Sequence, residues 1–294
     1  MDQFPNKEHV WVRSRALRTY LHASTDGTRV SLLPTRASIN AAWAVQVHEA
    51  EHGSPCVLLQ GAAYGRYLAA TDLPAPFGHS GYRASQLEYC DIPVPEEESV
   101  LWRVIPAASG DDVLLRHSAG GRYLRANGNG RRNTGVTVEK IRSLTTMAQW
   151  EVEVIPANPN FPGIPGPIYE PVRRDRRILS TGRELPPLRL IRFVQADAEG
   201  EYNEDGWSQF SFRGNSIYQL RNEVANRVHI NSFVMCVRAG LHAPLAPMLA
   251  NLPSGRTGNT LYIVVIQSTT PVYALLGLGT DYWDGSCLKI VLDK

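Results

Sequence analysis

The sequence predicts a mainly β protein: a closed barrel with pseudo-threefold symmetry over residues 9–156, followed by a small α+β domain. Three observations carry this expectation. One segment recurs three times in the first half, each copy ends on a tryptophan strand with period-two patterning, and the composition turns to proline, glycine and arginine after residue 156.

The repeat comes first because missing one misreads the whole fold. Residues 57–70, VLLQGAAYGRYLAA, return at 113–126 as VLLRHSAGGRYLRA, and a weaker copy stands at 10–23, VWVRSRALRTYLHA. In each, a leading valine (Val10, Val57, Val113) precedes a tyrosine (Tyr20, Tyr67, Tyr123) by ten positions, and leucine, a variable residue and alanine follow. Each copy closes on a tryptophan strand, from Trp43, Trp102 and Trp150.

Side chains two apart share one face of a pleated strand. Val10 with Val12, Val57 with Leu59, and Val113 with Leu115 make such pairs, as do Leu21 with Ala23, Leu68 with Ala70, and Leu124 with Ala126. Trp43, Val45 and Val47 alternate with Ala44 and Gln46, which is a half-buried strand. Gly65 and Gly121 fall where a hairpin turn requires a positive φ; the first copy has Arg18 and Thr19 there, so its turn is expected to differ. Three four-stranded units with the same apolar positions point to a β-trefoil, in which closure removes exposed sheet edges. A β-sandwich containing a duplication is the alternative.

Residues 48–52, HEAEH, have the form of the H-E-x-x-H zinc motif, which works only on a helix, where histidines four apart share a face. Here they continue the Trp43 strand into the turn Gly53-Ser54-Pro55. On a strand, His48 and His52 stand roughly 13 Å apart, too far to share one ion. They read as solvated residues at a strand end.

The segments VLLQGAAYGRYLAATD and VLLRHSAGGRYLRANG, each with its later W-x-V strand, resemble the fascin-like β-trefoil, in particular plant fascin-like proteins carrying the domain of unknown function numbered 569. In that group a trefoil precedes a small α/β domain, and FSFRGNSIYQLRNEVA, residues 210–225, is similar to that domain. The resemblance implies actin binding. Fascins bundle filaments with several trefoils, so a chain with one would need a second actin site or self-association.

Residues 157–187 are rich in proline and glycine and read as a linker; its RRDRR cluster, 173–177, is most simply a solvated run. Beyond it, residues 188–270 read as ββαββ, a β-grasp-like domain. LRLIRFVQAD and WSQFSFRG supply the first strands, and Asn215 or Ser216 caps a helix presenting Ile217, Leu220, Val224 and Val228. FVMCVRA and LYIVVIQ are central strands. The tail, 271–294, carries an Asp284-Gly285 turn and is not placed.

The net charge of +2 gives no bulk argument for nucleic acid or membrane, and no run approaches the roughly 18 apolar residues of a spanning helix. The N-terminus lacks an apolar signal region, so a cytoplasmic location, with access to the nucleus, is expected. Four cysteines without C-x-x-C spacing read as isolated buried thiols. There is no G-x-S-x-G, P-loop or G-x-G-x-x-G, and the expectation is a non-enzymatic chain without cofactor or metal.

Binding on a rigid barrel falls to its loops. The second unit carries a long insertion, residues 71–98, with Phe77, Tyr82, Arg83 and Tyr89 among glycines and prolines. Aromatics and arginine dominate interfaces, so this loop is the first candidate for partner contact, although Tyr89 could instead pack under the barrel. Arg131 and Arg132, in GNGRRNTG at 128–135, are further candidates on a loop without the strand and helix of a phosphate cradle. Two classes remain: a protein-interaction module, with actin as the implied partner, and a glycan-binding trefoil. The second is weakened because no Q-x-W repeat occurs.

Overall fold

The structure, a computed structural model, describes residues 3–48, 55–88, 97–156 apart from 109, 129–134, 142 and 144, and 188–276 apart from 204, 239–244 and 255–259.

The first unit gives strands β1 (His9–Ser14), β2 (Tyr20–Ala23), β3 (Val30–Leu33) and β4 (Ala42–His48). The second gives β5 (Cys56–Gly61), β6 (Tyr67–Pro74), β7 (Tyr82–Leu87) and β8 (Trp102–Pro106). The third gives β9 (Val113–His117), β10 (Tyr123–Asn127), β11 (Gly135–Glu139) and β12 (Trp150–Val154). The outer strands of the units close on themselves: β1 pairs β4, β4 pairs β5, β5 pairs β8, β8 pairs β9, β9 pairs β12, and β12 returns to β1. The inner hairpins β2–β3, β6–β7 and β10–β11 cap the barrel, joined where β11 meets both β3 and β7 and where Arg29 bridges Ser85. This is the β-trefoil.

The repeat positions make its core. Val10, Val12, Val57, Leu59, Val113 and Leu115, with the three leucine–alanine pairs, are all buried in one cluster. The three indoles are fully buried, and each N–H donates to the leucine carbonyl of its own unit's G-R-Y-L-type strand: Trp43 to Leu21 at 3.0 Å, Trp102 to Leu68 at 2.9 Å, Trp150 to Leu124 at 3.1 Å. An unpaired indole N–H in such a core would be costly, so one geometry solves the same problem three times.

The hairpin turns differ from expectation at one point. Gly65 and Gly121 have φ of 68° and 60°, as a left-handed turn position requires, but Arg18 occupies the same position with φ 54°. The backbone is therefore conserved across the three units, and the first carries a non-glycine residue in the left-handed region at a cost of roughly 1–2 kcal/mol. Arg18 is held there by its ion pair with Glu151, which Arg13 and Arg15 also reach at 3.0 and 2.8 Å.

His48 ends β4, paired with Cys56 and exposed; residues 49–52 lie outside the described residues. The segment is strand up to His48, and no group of histidine, cysteine and acidic residues suited to a metal occurs among the described residues.

The second half is a five-stranded sheet with a helix on one face. Its elements are β13 (Leu188–Gln195), β14 (Ser208–Arg213), α1 (Ile217–Val228), β15 (Phe233–Val237), β16 (Ala246–Pro247), β17 (Thr260–Gln267) and α2 (Pro271–Leu275). The order is β14-β13-β17-β15-β16, with β13 and β17 parallel, which is β-grasp topology. Ser216 caps α1, its hydroxyl accepting from the Gln219 amide at 3.3 Å. Ile217, Leu220 and Val224 pack on Ile191, Phe193, Phe233, Met235, Ile263 and Val265.

The opposite sheet face is not left to solvent. Val194, Val234, Cys236, Val264 and Ile266 belong to the same buried cluster as the trefoil core. The contact is close: a methyl group added at Gly65 would lie 3.0 Å from Ala246, and one at Gly27 would lie 2.7 Å from Pro253. The Ser254 amide donates to Thr25 O at 2.8 Å. Arg189, buried, donates to Gly214 O at 2.9 Å and to Pro253 O, tying the segment that touches the trefoil to the start of α1.

Candidate functional site

β6 changes character along its length: Tyr67–Ala70 are buried, whereas Asp72, Leu73 and Pro74 are exposed. With β7, which pairs with β11 through Tyr82 and Arg83, it forms a hairpin arm along the barrel cap, and the change occurs at a register shift between Ala70 and Pro74. Thr71 bridges that irregularity, its hydroxyl donating to Arg83 O at 2.8 Å, and Arg83 Nε donates to Pro74 O at 2.9 Å. At the tip the Ala75 amide donates to Gly81 O at 3.0 Å and the His79 amide to Pro76 O at 3.0 Å. Gly81, with φ 83°, admits no side chain, since a Cβ there would meet Val138 O at 2.5 Å.

Arg122 fixes the base of the arm. Its guanidinium stacks on the Tyr82 ring at 4.3 Å, donates to Thr71 O at 3.0 Å and pairs with Asp72 at 2.6 Å. Arg66, the same repeat position in the second unit, donates to Gly27 O at 2.6 Å and pairs with Glu88 at 2.9 Å. The arginine of G-R-Y-L thus locks each of these units to the one before it. In the third unit this arginine holds the arm.

The apolar groups on the arm face solvent. Phe77 at the tip is 106% exposed, Leu73 59% and Tyr82 39%. Of the candidates read from sequence, Phe77, Tyr82 and Arg83 lie together on this arm, although Arg83 is engaged with the backbone. Tyr89, Arg131 and Arg132 lie outside the described residues, as do the linker and the tail from 277. Gly135, at the far end of the 128–135 segment, is placed so that a Cβ on it would lie 3.5 Å from the His79 ring. Leu73 and Arg122 escaped the sequence reading. The first resembles any strand leucine, and the second is hidden inside a motif with a structural task.

A second, more polar feature lies on the other domain: a groove of about 410 Å³ between β14 and α1. No helix among the described residues is long and apolar enough to cross a membrane.

A family model described as the β-trefoil domain of unknown function DUF569 matches residues 1–150, and one described as the DUF569-associated ubiquitin-like domain matches 187–266. No curated protein matches the chain. Among solved structures it is similar to the SDF2-like protein from Arabidopsis thaliana, at 15% identity over 50% of this chain and 93% of that one, with a TM-score of 0.43. It is also similar to the designed threefold-symmetric protein ThreeFoil, at 17% identity over 49% and 96% of the two chains, TM-score 0.39. A ricin B-like lectin from Macrolepiota procera, solved with lactose, is 14% identical over 51% and 96%, TM-score 0.39. With both models matched in sequence order and both folds present, the chain belongs to the DUF569 family, a β-trefoil followed by that family's associated ubiquitin-like domain.

Proposed function

We propose that this chain is a non-enzymatic protein-interaction module that meets its partner through the β6–β7 arm, and that the partner is the actin filament. The observation that carries the reading is the fully exposed Phe77 on an arm braced by Arg122, with Leu73 and Tyr82 beside it. A solvent-exposed aromatic on a rigid support loses little conformational entropy on docking and buries a large apolar area. Actin enters through the fascin resemblance of the repeat alone. Co-sedimentation of the purified chain with actin filaments, run beside a glycan array, tests the proposal. Saturable pelleting with filaments and no glycan signal is the expected result. A glycan signal without pelleting would replace this reading with the lectin one, and silence in both would remove both.

A further inference from the structure

The threefold arrangement repeats one cross-strand pair on the outer wall of the barrel in three chemical versions. The residue three after each leading valine stands opposite the residue that follows a tryptophan: Arg13 opposite Glu151, Gln60 opposite Ala44, and Arg116 opposite Arg103. These side chains point away from the core, because the tryptophans next to them in sequence point into it. The first pair is complementary, with Arg13 and Glu151 in contact at 3.0 Å. The second is uncharged, and Gln60 donates to Gly65 O at 2.9 Å. The third sets two guanidinium groups side by side, although like charges directly opposite in a sheet, with Cβ atoms about 5 Å apart, are destabilising.

No described residue relieves that repulsion. Neither Arg103 nor Arg116 makes an ion pair, a side-chain hydrogen bond or a ring contact among the described residues, and Arg103 Nε is buried without an acceptor. Along the register on one side, Arg116 stands opposite Tyr123 and Tyr123 opposite Glu139, but Arg125 already holds that carboxylate at 2.6 Å. On the other side, Arg103 stands opposite Cys56, and Cys56 opposite His48. Both arginines are partly exposed, so a solute can reach them. The Arg116 guanidinium lies over the turn, where a Cβ at Gly121 would come within 3.1 Å of it; glycine leaves it room.

We propose that Arg103 and Arg116 bind a phosphate group, as the free ion or as a monoester. Two uncompensated positive charges call for a ligand that brings two negative ones. A phosphate monoester carries about −1.5 to −2 at neutral pH, and its oxygens match the guanidinium fork in parallel hydrogen bonds. A single carboxylate would leave one of the two charges unmet. The site lies where the second unit meets the third and uses no residue of the β6–β7 arm, so it stands or falls independently of the contact surface proposed there.

The test titrates inorganic phosphate into the full chain at constant ionic strength, read by calorimetry and by thermal melting. Saturable binding in the millimolar range or tighter is expected, with Tm rising as phosphate is added. Arg116→Gln, which installs the residue the second unit uses, and Arg103→Gln should each weaken binding at least about tenfold. Arg227→Gln, which removes an equal charge from α1, should leave it unchanged. Arg103→Glu separates binding from folding, because it rebuilds the arginine–glutamate pair of the first unit: without phosphate it should melt above wild type, and phosphate should no longer shift it. Methyl phosphate that binds as well as phosphate assigns the site to monoesters, and weaker binding assigns it to the free ion. No saturable binding, binding that survives both glutamine variants, an equal loss in Arg227→Gln, or an Arg103→Glu chain that melts no higher or still responds to phosphate would each overturn the proposal.

Discussion

Replacing Trp150 by phenylalanine and by alanine separates the two things its indole does. The side chain is fully buried, and its N–H donates to Leu124 O at 3.1 Å. Phenylalanine keeps most of the apolar volume and leaves that carbonyl without its donor, a loss of about 1–3 kcal/mol. Alanine removes the ring as well and should cost ~3–5 kcal/mol through the cavity it opens. In a domain of this size each kcal/mol lowers Tm by roughly 2–4 °C, so the phenylalanine variant should melt ~3–10 °C below wild type. Urea unfolding followed by circular dichroism supplies the free energies. The threefold arrangement adds a stricter condition: Trp43→Phe and Trp102→Phe should match Trp150→Phe within about 1 kcal/mol, because their partners, Leu21 O and Leu68 O, are equivalent. A Trp150→Phe variant as stable as wild type, or one of the three tolerated while another prevents folding, would refute the shared indole layer.

Three other perturbations test neighbouring links. Gly121→Ala should cost about 1 kcal/mol because its φ of 60° is left-handed and its methyl, 3.1 Å from the Arg116 guanidinium, meets only a side-chain end that can swing aside, whereas Gly65→Ala should cost more, since its methyl meets the fixed Ala246 Cβ at 3.0 Å; urea midpoints give the comparison. Burial pushes His9 down from 6.5 to about 4, so the folded state resists protonation. The unfolded chain takes up the proton first, and stability should fall as pH drops from about 6.5 to 4, by up to ~3 kcal/mol, then level off. His22 is also lowered by burial and adds in the same direction, so His9→Gln should reduce the slope of a pH–stability curve without flattening it. Arg189→Met leaves Gly214 O and Pro253 O without their buried donor and should lower stability by about 2–4 kcal/mol, read by urea unfolding.

Much of the barrel was legible because period-two alternation reports directly which side chains share a face. Val10 with Val12, Leu68 with Ala70, and Trp43 with Val45 became one core on that signal alone. The helix was equally plain, since Ser216 caps a run whose Ile217, Leu220 and Val224 are the buried positions. The unit-one turn was misjudged because a left-handed φ at Arg18 costs little enough for side-chain contacts to sustain it. The ties made by Arg66 and Arg122 join units far apart in sequence and depend on how the lobes close. The burial of Val234 and Ile266 against the trefoil was hidden for a related reason, since an apolar strand in the middle of a sheet reads the same whether a helix or another domain covers it. β16 was missed because two residues, one of them proline, give no period at all. At the candidate site, composition singles out the insertion that carries Phe77 and Tyr82, but exposure decides which aromatics can bind, and exposure is a property of the folded arm.

The most direct measurement compares wild type with the double variant Leu73→Ser, Phe77→Ser in filament co-sedimentation, with thermal melts in parallel. Both side chains face solvent, so Tm should move by less than about 2 °C while affinity falls at least about tenfold. Unchanged pelleting by a stably folded variant would contradict the assignment of the arm as the contact surface.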